Sequence, residues 1–312
     1  MKASWFGFLL MLALVSHARA DIVSGSMVHG GITRNWIAHL PSSYAPGASV
    51  PLVVGLHPAF SNGSKFQSSS GWDAKSEAKG FIVVYPNGGE SAGSGGNFTW
   101  NSFDFSGSAP DDLGFLGALI DRFHGDYNID TRRVFMTGFS NGAMMTNSFA
   151  AVHADKVAAI APVSGGWITA YGGSESSMNP TESVPTWIWR GANENFTTGT
   201  GSSARPRNVQ DQEQKAFWID KNQATFESTL VENLNYGIPR TYTTEKYSGN
   251  APVWFTEVSG SGHVYQPGAA DLIWDRFFSI QGVPEPGSIL LVLSALALGK
   301  AVGRRRLAIR GP

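Results

Sequence analysis

The chain has 312 residues and no cysteine, so disulfide bonds and thiolate metal sites are excluded. Between residues 21 and 282 there are 16 lysines and arginines and 23 aspartates and glutamates, which gives this segment a formal charge of about −7. This acidic balance argues against nucleic acid as a partner, because neutralising phosphates requires a basic surface.

The first 20 residues have the order of parts found in a secretory signal peptide. Lys2 provides a basic start, an apolar run follows over residues 5–15, and Ala18 and Ala20 form a small-residue cleavage site. We therefore expect export and removal of residues 1–20.

The other terminus, residues 283–312, has the features of an address signal. Pro284-Glu285-Pro286 is followed by an apolar run over 287–298 and an arginine cluster at 304–306. This order resembles the PEP-CTERM sorting signal. The resemblance implies processing by an exosortase in a Gram-negative bacterium, with a secreted or cell-surface location and membrane contact only through the unprocessed tail.

Residues 21–282 predict one α/β domain without an internal repeat. Strand-like and helix-like segments alternate along it, which implies a doubly wound, mostly parallel sheet flanked by helices. The predicted elements are a hairpin within 21–46, buried strands at 51–57, 81–85, 133–137, 157–163 and 185–191, strands at 241–246 and 252–258, and helices at 72–79, 111–123, 141–145 and onward, 205–222 and 269–280, with a long loop at 87–110.

The sequence Gly138-Phe139-Ser140-Asn141-Gly142 stands where an apolar strand changes to an Ala/Met-rich helix. In an α/β-hydrolase fold, Gly-x-Ser-x-Gly in this context is a nucleophile elbow, whose two glycines leave room for a strained, exposed serine. The alternative is a Gly-Ser loop that closes a buried strand, but it does not account for both glycines and both flanking elements.

A serine nucleophile needs a histidine base and a carboxylate, and in this fold they follow in the order Ser, acid, His. His263 lies in a glycine-framed loop after the last predicted strand and is the candidate base. Glu194 follows the 185–191 strand and is the candidate acid, with Asp220 as the reserve.

Two backbone amides are needed to bind the oxyanion. The amide of Asn141 follows the nucleophile directly, and we assign the second to Ala59, because Pro58 has no N–H.

Four side chains are candidates for substrate binding. Trp100, Trp167 and Tyr265 occupy loops at strand ends, where sites form in open α/β sheets, and His57 ends the first buried strand. The alternative for the aromatic residues is an ordinary place in the core or on the surface.

Several blocks resemble the esterase family of extracellular poly(3-hydroxybutyrate) depolymerases and feruloyl or acetylxylan esterases. They are residues 56–57, 111–115, 127–130, 133–134, 138–145, 159–165 and 262–263, within a likeness that spans about 50–280. The resemblance implies Ser140 as nucleophile, His263 as base and Ala59 as oxyanion donor. The chain departs from the family in having Pro58 after His57, Glu194 in place of aspartate, Tyr265 in place of tryptophan, and no cysteines.

These observations predict a secreted serine esterase that acts through an acyl-enzyme, without metal or cofactor. The first expectation for its substrate is a polyester of the hydroxybutyrate type, and the alternative is a feruloyl or acetyl ester of a polysaccharide. A peptidase of the same fold would normally carry an additional domain. In a different class, the chain would be a non-enzymatic, surface-retained matrix-binding protein.

Overall fold

A computed structural model describes residues 20–91, 96–103 and 109–281. Residues 1–19 of the predicted signal peptide and the whole predicted sorting tail lie outside these ranges. Within them, no helix is both long enough and apolar enough to cross a membrane.

The described residues form strands and helices in alternation. The strands are β1 (Asp21–His29), β2 (Ile32–Leu40), β3 (Val50–Leu56), β4 (Ile82–Pro86), β5 (Glu90–Ser91), β6 (Phe98–Thr99), β7 (Ile129–Phe139), β8 (Ala159–Val163), β9 (Thr186–Gly191), β10 (Thr197–Thr198), β11 (Arg205–Pro206), β12 (Thr225–Asn235), β13 (Pro239–Ser248) and β14 (Val253–Val258). The α-helices are α1 (Gly63–Ser70), α2 (Trp72–Lys79), α3 (Asp112–Tyr127), α4 (Asn141–Val152), α5 (Arg207–Lys221) and α6 (Ala269–Arg276).

Ten of these strands form one mixed sheet in the order β1-β2-β4-β3-β7-β8-β9-β14-β13-β12. The six central strands, from β4 to β14, run parallel, and an antiparallel pair borders them on each side. The central strands are apolar and buried because helices cover both faces. The predicted doubly wound, mostly parallel sheet is confirmed.

The core has two layers, one on each face of the sheet. Successive residues of β3 enter opposite layers. Leu52 and Val54 pack on the face of α3, α4 and α5, while Val53 packs on the face of α1, α2 and α6. The parallel strands all end at the same edge, so the loops that follow them meet there.

Two of the longer elements, and the two-residue strands β5, β6, β10 and β11, were missing from the sequence prediction. Helix α1 is serine-rich and has little apolar periodicity, but Asn62 caps it by accepting a hydrogen bond from the Lys65 amide. Strand β12 is an exposed edge strand, so it lacks the apolar run that marked the buried strands. The closing helix is shorter than predicted and ends at Arg276, before a 3₁₀ turn at Phe278–Ile280.

Candidate active site

The sharp turn from β7 into α4 presents Ser140 at the carboxyl edge of the sheet. Its backbone has φ 54° and ψ −115°, outside the regions that serine normally adopts. A Cβ atom at Gly138 would lie 2.4 Å from the Gly142 carbonyl oxygen, and one at Gly142 would lie 2.3 Å from the Leu56 carbonyl oxygen. Neither position can therefore hold a larger residue without moving the backbone, and this is the geometry that the Gly-x-Ser-x-Gly pattern predicts.

Three loops bring Ser140, His263 and Glu194 into one hydrogen-bonded chain. His263 Nε2 lies 2.9 Å from Ser140 Oγ, and His263 Nδ1 lies 2.9 Å from Glu194 Oε2. Glu194 is fully buried, whereas the His263 side chain is 33% exposed. Asp220, the reserve acid, stands near the end of α5 beside a separate surface cavity. The carboxylate partner of His263 is thus Glu194.

The carboxylate of Glu194 is held by more than the histidine. Its Oε1 accepts hydrogen bonds from Ser164 Oγ at 2.6 Å and from the Gly191 amide at 2.8 Å, and Arg207 Nη2 lies 3.7 Å from its Oε2. Burial raises the pKa of Glu194, but the hydrogen bonds from His263, Ser164 and Gly191 and the charge of Arg207 outweigh it, so the pKa lies below its ordinary value. Glu194 is therefore ionised at neutral pH.

A second buried carboxylate, Asp211, lies behind Glu194. Its Oδ1 is 3.3 Å from Arg207 Nη2, and its Oδ2 is 3.5 Å from Arg190 Nη1. Burial raises the pKa of Asp211 to about 6, although both arginines oppose the shift. Arg207 also donates a hydrogen bond to the Gly165 carbonyl oxygen at 2.5 Å, so one guanidinium joins α5 to the loop after β8.

The sequence analysis missed Ser164, Arg207 and Asp211. Ser164 was noted only as part of a block that carries the family resemblance. In α5, a signal was available, since Arg207, Gln210, Asp211 and Gln214 follow helical spacing and are all buried. A polar stripe of this kind usually faces solvent, and only the packing of α5 reveals that it faces the site.

Three of the four predicted substrate-binding side chains are buried. His57, Trp100 and Trp167 have almost no exposed surface, so the prediction that they contact a substrate is corrected. His57 donates from Nδ1 to the Pro58 carbonyl oxygen at 2.8 Å and accepts at Nε2 from the Gly88 amide at 3.1 Å. Burial lowers the pKa of His57 to about 4, so its imidazole is neutral and structural.

Trp100 connects the two segments that carry the predicted oxyanion donors. Its indole N–H donates to the His57 carbonyl oxygen at 3.0 Å, two residues before Ala59. Its backbone N–H donates to Asn141 Oδ1 at 2.7 Å, and its carbonyl oxygen accepts from Asn141 Nδ2 at 3.1 Å. The loop after β3 and the first turn of α4 are thereby held together.

A cavity of about 320 Å³ opens beside His263. Its lining combines apolar walls with a few polar groups, from Pro58, Ser61, Lys65, Phe66, Ser69, Phe139, His263, Val264 and Tyr265. Of the predicted substrate-binding residues, Tyr265 lies here. Its hydroxyl accepts a hydrogen bond from the Trp72 indole at 2.7 Å, and burial raises the pKa of Tyr265 to about 12, so the phenol is neutral.

Apolar side chains are exposed on the loops that carry the predicted oxyanion donor, acid and base. Phe60 is 73% exposed, Val264 45% and Phe196 39%, and the Phe196 ring stands edge-on to His263 at 5.4 Å. Phe60 also has φ 57°, which is unusual for a bulky residue. These three residues, which we call the apolar rim, come from three different loops next to the predicted oxyanion donor, acid and base.

Comparison with known proteins connects this chain to esterases. Residues 36–184 match the sequence model described as esterase PHB depolymerase. A bifunctional acetylxylan esterase/xylanase from Neocallimastix patriciarum is 30% identical over 247 residues, 78% of this chain and 33% of that protein. Poly(3-hydroxyalkanoate) depolymerase C from Paucimonas lemoignei is 34% identical over 131 residues, 41% of this chain and 30% of that protein. The chain thus spans about a third of the length of these relatives.

The solved structures agree on the fold. An acetyl xylan esterase from Aspergillus awamori matches with a TM-score of 0.59 and 21% identity, over 79% of this chain and 94% of that one. A ferulic acid esterase matches with a TM-score of 0.56 and 14% identity, over 85% and 99% of the two chains. The fold is the α/β-hydrolase fold of these esterases, and the sequence match to the esterase PHB depolymerase model covers residues 36–184, just under half of the chain.

Proposed function

We propose that this protein is a serine carboxylic ester hydrolase. The observation that carries the proposal is the unbroken hydrogen-bonded chain from Ser140 through His263 to the ionised Glu194, at 2.9 Å in each step. A buried carboxylate bonded to Nδ1 holds the imidazole in the tautomer whose Nε2 is free to accept the serine proton.

In the proposed reaction, His263 takes the proton of Ser140 as Oγ bonds to the ester carbonyl carbon. The tetrahedral oxyanion accepts hydrogen bonds from the amides of Ala59 and Asn141. The bond to the alcohol oxygen then breaks, and His263 returns its proton to that oxygen. Water, deprotonated by His263, hydrolyses the acyl-enzyme and regenerates Ser140. These reaction steps require no metal or cofactor.

A polyester or oligoester of the poly(3-hydroxybutyrate) type is the substrate class we favour. The apolar rim of Phe60, Phe196 and Val264 supports it, because contact with an apolar polymer removes these exposed side chains from water, which is favourable. A hydrated polysaccharide offers them less apolar surface.

Acetylated or feruloylated polysaccharide is the second candidate substrate. It is favoured by the long match to an acetylxylan esterase/xylanase and by the fold of acetyl xylan and ferulic acid esterases. The proposed chemistry at Ser140 is the same for both classes, so the choice lies in the loops that line the opening.

The test is a panel of esters given to residues 21–281 and to the Ser140→Ala variant. Hydroxybutyrate oligomers, acetylated xylo-oligosaccharides and feruloylated arabinose would be followed by product release, with 4-nitrophenyl acetate as the reporter of basic esterase activity. We expect hydroxybutyrate oligomers to give the highest kcat/KM. Activity restricted to the sugar esters would overturn the substrate class, and no hydrolysis of any ester would instead support a non-enzymatic matrix-binding protein.

We also propose that the protein is exported and sorted by its termini, residues 1–20 and 283–312, with an exosortase-type enzyme as the processing partner. The closing helix α6 ends at Arg276 and the last 3₁₀ turn at Ile280, both before residue 283, so we expect the tail to be dispensable for catalysis. Expression of the whole chain and of a form ending at Gln281 in a Gram-negative host tests this. Equal esterase activity, with membrane association only of the whole unprocessed chain, is the expected result.

A further inference from the structure

Lys65, at the edge of the cavity beside His263, is a cation without an acidic partner. Its Nζ donates a hydrogen bond to Asn97 Oδ1 at 2.8 Å, and among the described residues no carboxylate oxygen lies within 4.0 Å of it. Lys75, Lys79, Lys156 and Lys215 each pair with a carboxylate, whereas Lys221 and Lys246, like Lys65, have no such pair among the described residues and lie over aromatic rings instead. Of the three lysines without a carboxylate partner in the described part of the chain, Lys65 is the one that lines the cavity beside His263.

The position of Lys65 in its helix also has a cost. Lys65 lies in the first turn of α1, where the helix dipole is positive and cations are disfavoured, and that turn contains no acidic residue. Capping by Asn62 satisfies the backbone but does not neutralise the charge. An anionic ligand at this place would remove the unfavourable interaction.

The cavity adjoins the histidine that would protonate the leaving alcohol. His263 must deliver its proton to the alcohol oxygen, and His263, Val264 and Tyr265 form one wall of the cavity. Phe66 and Phe139 provide further apolar surface, with the Phe66 and Tyr265 rings edge to face at 5.2 Å. Lys65 belongs to the same lining, so an alcohol that fills this cavity reaches from His263 to the side chain of Lys65.

We infer that this cavity binds the leaving alcohol and that Lys65 selects an alcohol that carries a carboxylate, namely the terminal 3-hydroxy acid unit of an oligoester. The inference rests on the proposed function. When the ester bond of the last unit breaks, its oxygen takes the proton from His263 and the unit departs as a hydroxy acid anion, with its carboxylate two carbons away. A sugar alcohol is neutral and gains nothing from Lys65.

The experiment compares two substrates that differ only in charge, 3-acetoxybutyrate and 3-acetoxybutanamide, with the chain 21–281. We expect kcat/KM for the carboxylate to exceed that for the amide by about fivefold, the factor that an exposed ion pair supplies. The preference should decline as the salt concentration rises, because an exposed pair is screened. In Lys65→Met the two values should become nearly equal, and Lys65→Arg should restore most of the preference.

The matched control is Lys79→Met, which removes an exposed lysine of the neighbouring helix α2 that pairs with Asp275. It should retain the full preference for the carboxylate. As a second readout, free 3-hydroxybutyrate should inhibit hydrolysis of 4-nitrophenyl acetate by the wild type more strongly than by Lys65→Met. Equal kcat/KM for the two acetoxy substrates in the wild type would overturn the inference while leaving the esterase intact. Absence of hydrolysis of 4-nitrophenyl acetate would instead refute the proposed function.

Discussion

Behind His263 the site is buried and charged, whereas in front of it the site is open and apolar. Behind it, Glu194 receives hydrogen bonds from Ser164 and Gly191 and faces the buried guanidinium of Arg207. In front of it, the apolar rim and the neighbouring cavity leave apolar groups in contact with solvent.

The difference separates two tasks. The residues behind the histidine are buried, and their contacts fix where the imidazole points and keep Glu194 ionised. Residues in front of it contribute little to that geometry and provide the surface that a substrate meets. Changes behind His263 should therefore affect the reaction of every ester, and changes in front should alter the ranking of esters.

The largest effect is expected where both sides meet, at Ser140. Ser140→Ala should lower kcat by roughly 10⁴-fold or more, because nucleophile and base act as a unit. Steady-state hydrolysis of 4-nitrophenyl acetate measures the loss, and thermal unfolding shows that the fold is retained. Activity within tenfold of the wild type would mean that another group attacks the ester.

On the buried side, Glu194→Gln should lower kcat by roughly 10²- to 10⁴-fold, because a neutral amide does not stabilise the imidazolium or fix its tautomer. Asp220→Asn is the matched control, since Asp220 makes no contact with His263 in the described part of the chain. Its kcat should stay near that of the wild type. The reverse ranking would transfer the role of the acid to Asp220.

Asp211 provides a test of the buried side through stability. Its pKa is about 6 in the folded protein and 3.8 ordinarily, so between these values the folded protein keeps a proton that the unfolded chain has lost. The contribution of Asp211 to stability thus falls as the pH rises through this window, by on the order of 3 kcal/mol at most. In the Asp211→Asn variant this position cannot ionise, so the pH-dependent contribution to stability is absent.

The free energy of unfolding of Asp211→Asn, relative to the wild type, should therefore increase between about pH 4 and pH 7. Urea unfolding of both proteins across this range provides the measurement. Glu194, whose pKa is lowered, contributes in the opposite direction in both proteins, so most of its contribution cancels in the difference. A difference that is independent of pH would show that Asp211 is ionised throughout.

The smallest effect is expected at the apolar rim. Phe60→Ser should lower the rate on a hydroxybutyrate polymer suspension, relative to the rate on 4-nitrophenyl acetate, by about threefold, because it removes one exposed aromatic contact. Phe226→Ser is the matched control, since Phe226 is also largely exposed but lies on the edge strand β12. If both variants show the same ratio of polymer rate to 4-nitrophenyl acetate rate, the apolar rim does not contribute to polymer binding.

The amino-acid sequence predicts the catalytic residues better than it predicts the surroundings behind and in front of His263. Ser140 and His263 follow from glycine spacing, chain order and strand ends, which are local features of the sequence. Glu194 follows from the same strand-end rule. The elements that carry these residues were also predicted, because buried parallel strands leave continuous apolar runs.

The support behind Glu194 was not predicted, because the polar stripe on α5 does not by itself show which way it faces. Arg207 and Asp211 are polar residues on a helix, and such residues normally face solvent, so their burial depends on how α5 packs against the sheet. The sequence also did not show which aromatic residues of the loops are buried and which are exposed. Trp100 and Trp167 are buried while Phe60 is exposed, although all three follow strands or lie in loops of similar composition.

The most direct test of the central claim is covalent trapping of the nucleophile. A fluorophosphonate ester reacts much faster with a serine whose hydroxyl is activated by a neighbouring base than with an ordinary side chain. The wild type should take up one equivalent of reagent on the peptide that contains Ser140, as measured by mass spectrometry, and should lose esterase activity in parallel. His263→Ala should label far more slowly, and Ser140→Ala should not label. Labelling of a different residue, or none in an active wild type, would contradict the assignment of Ser140.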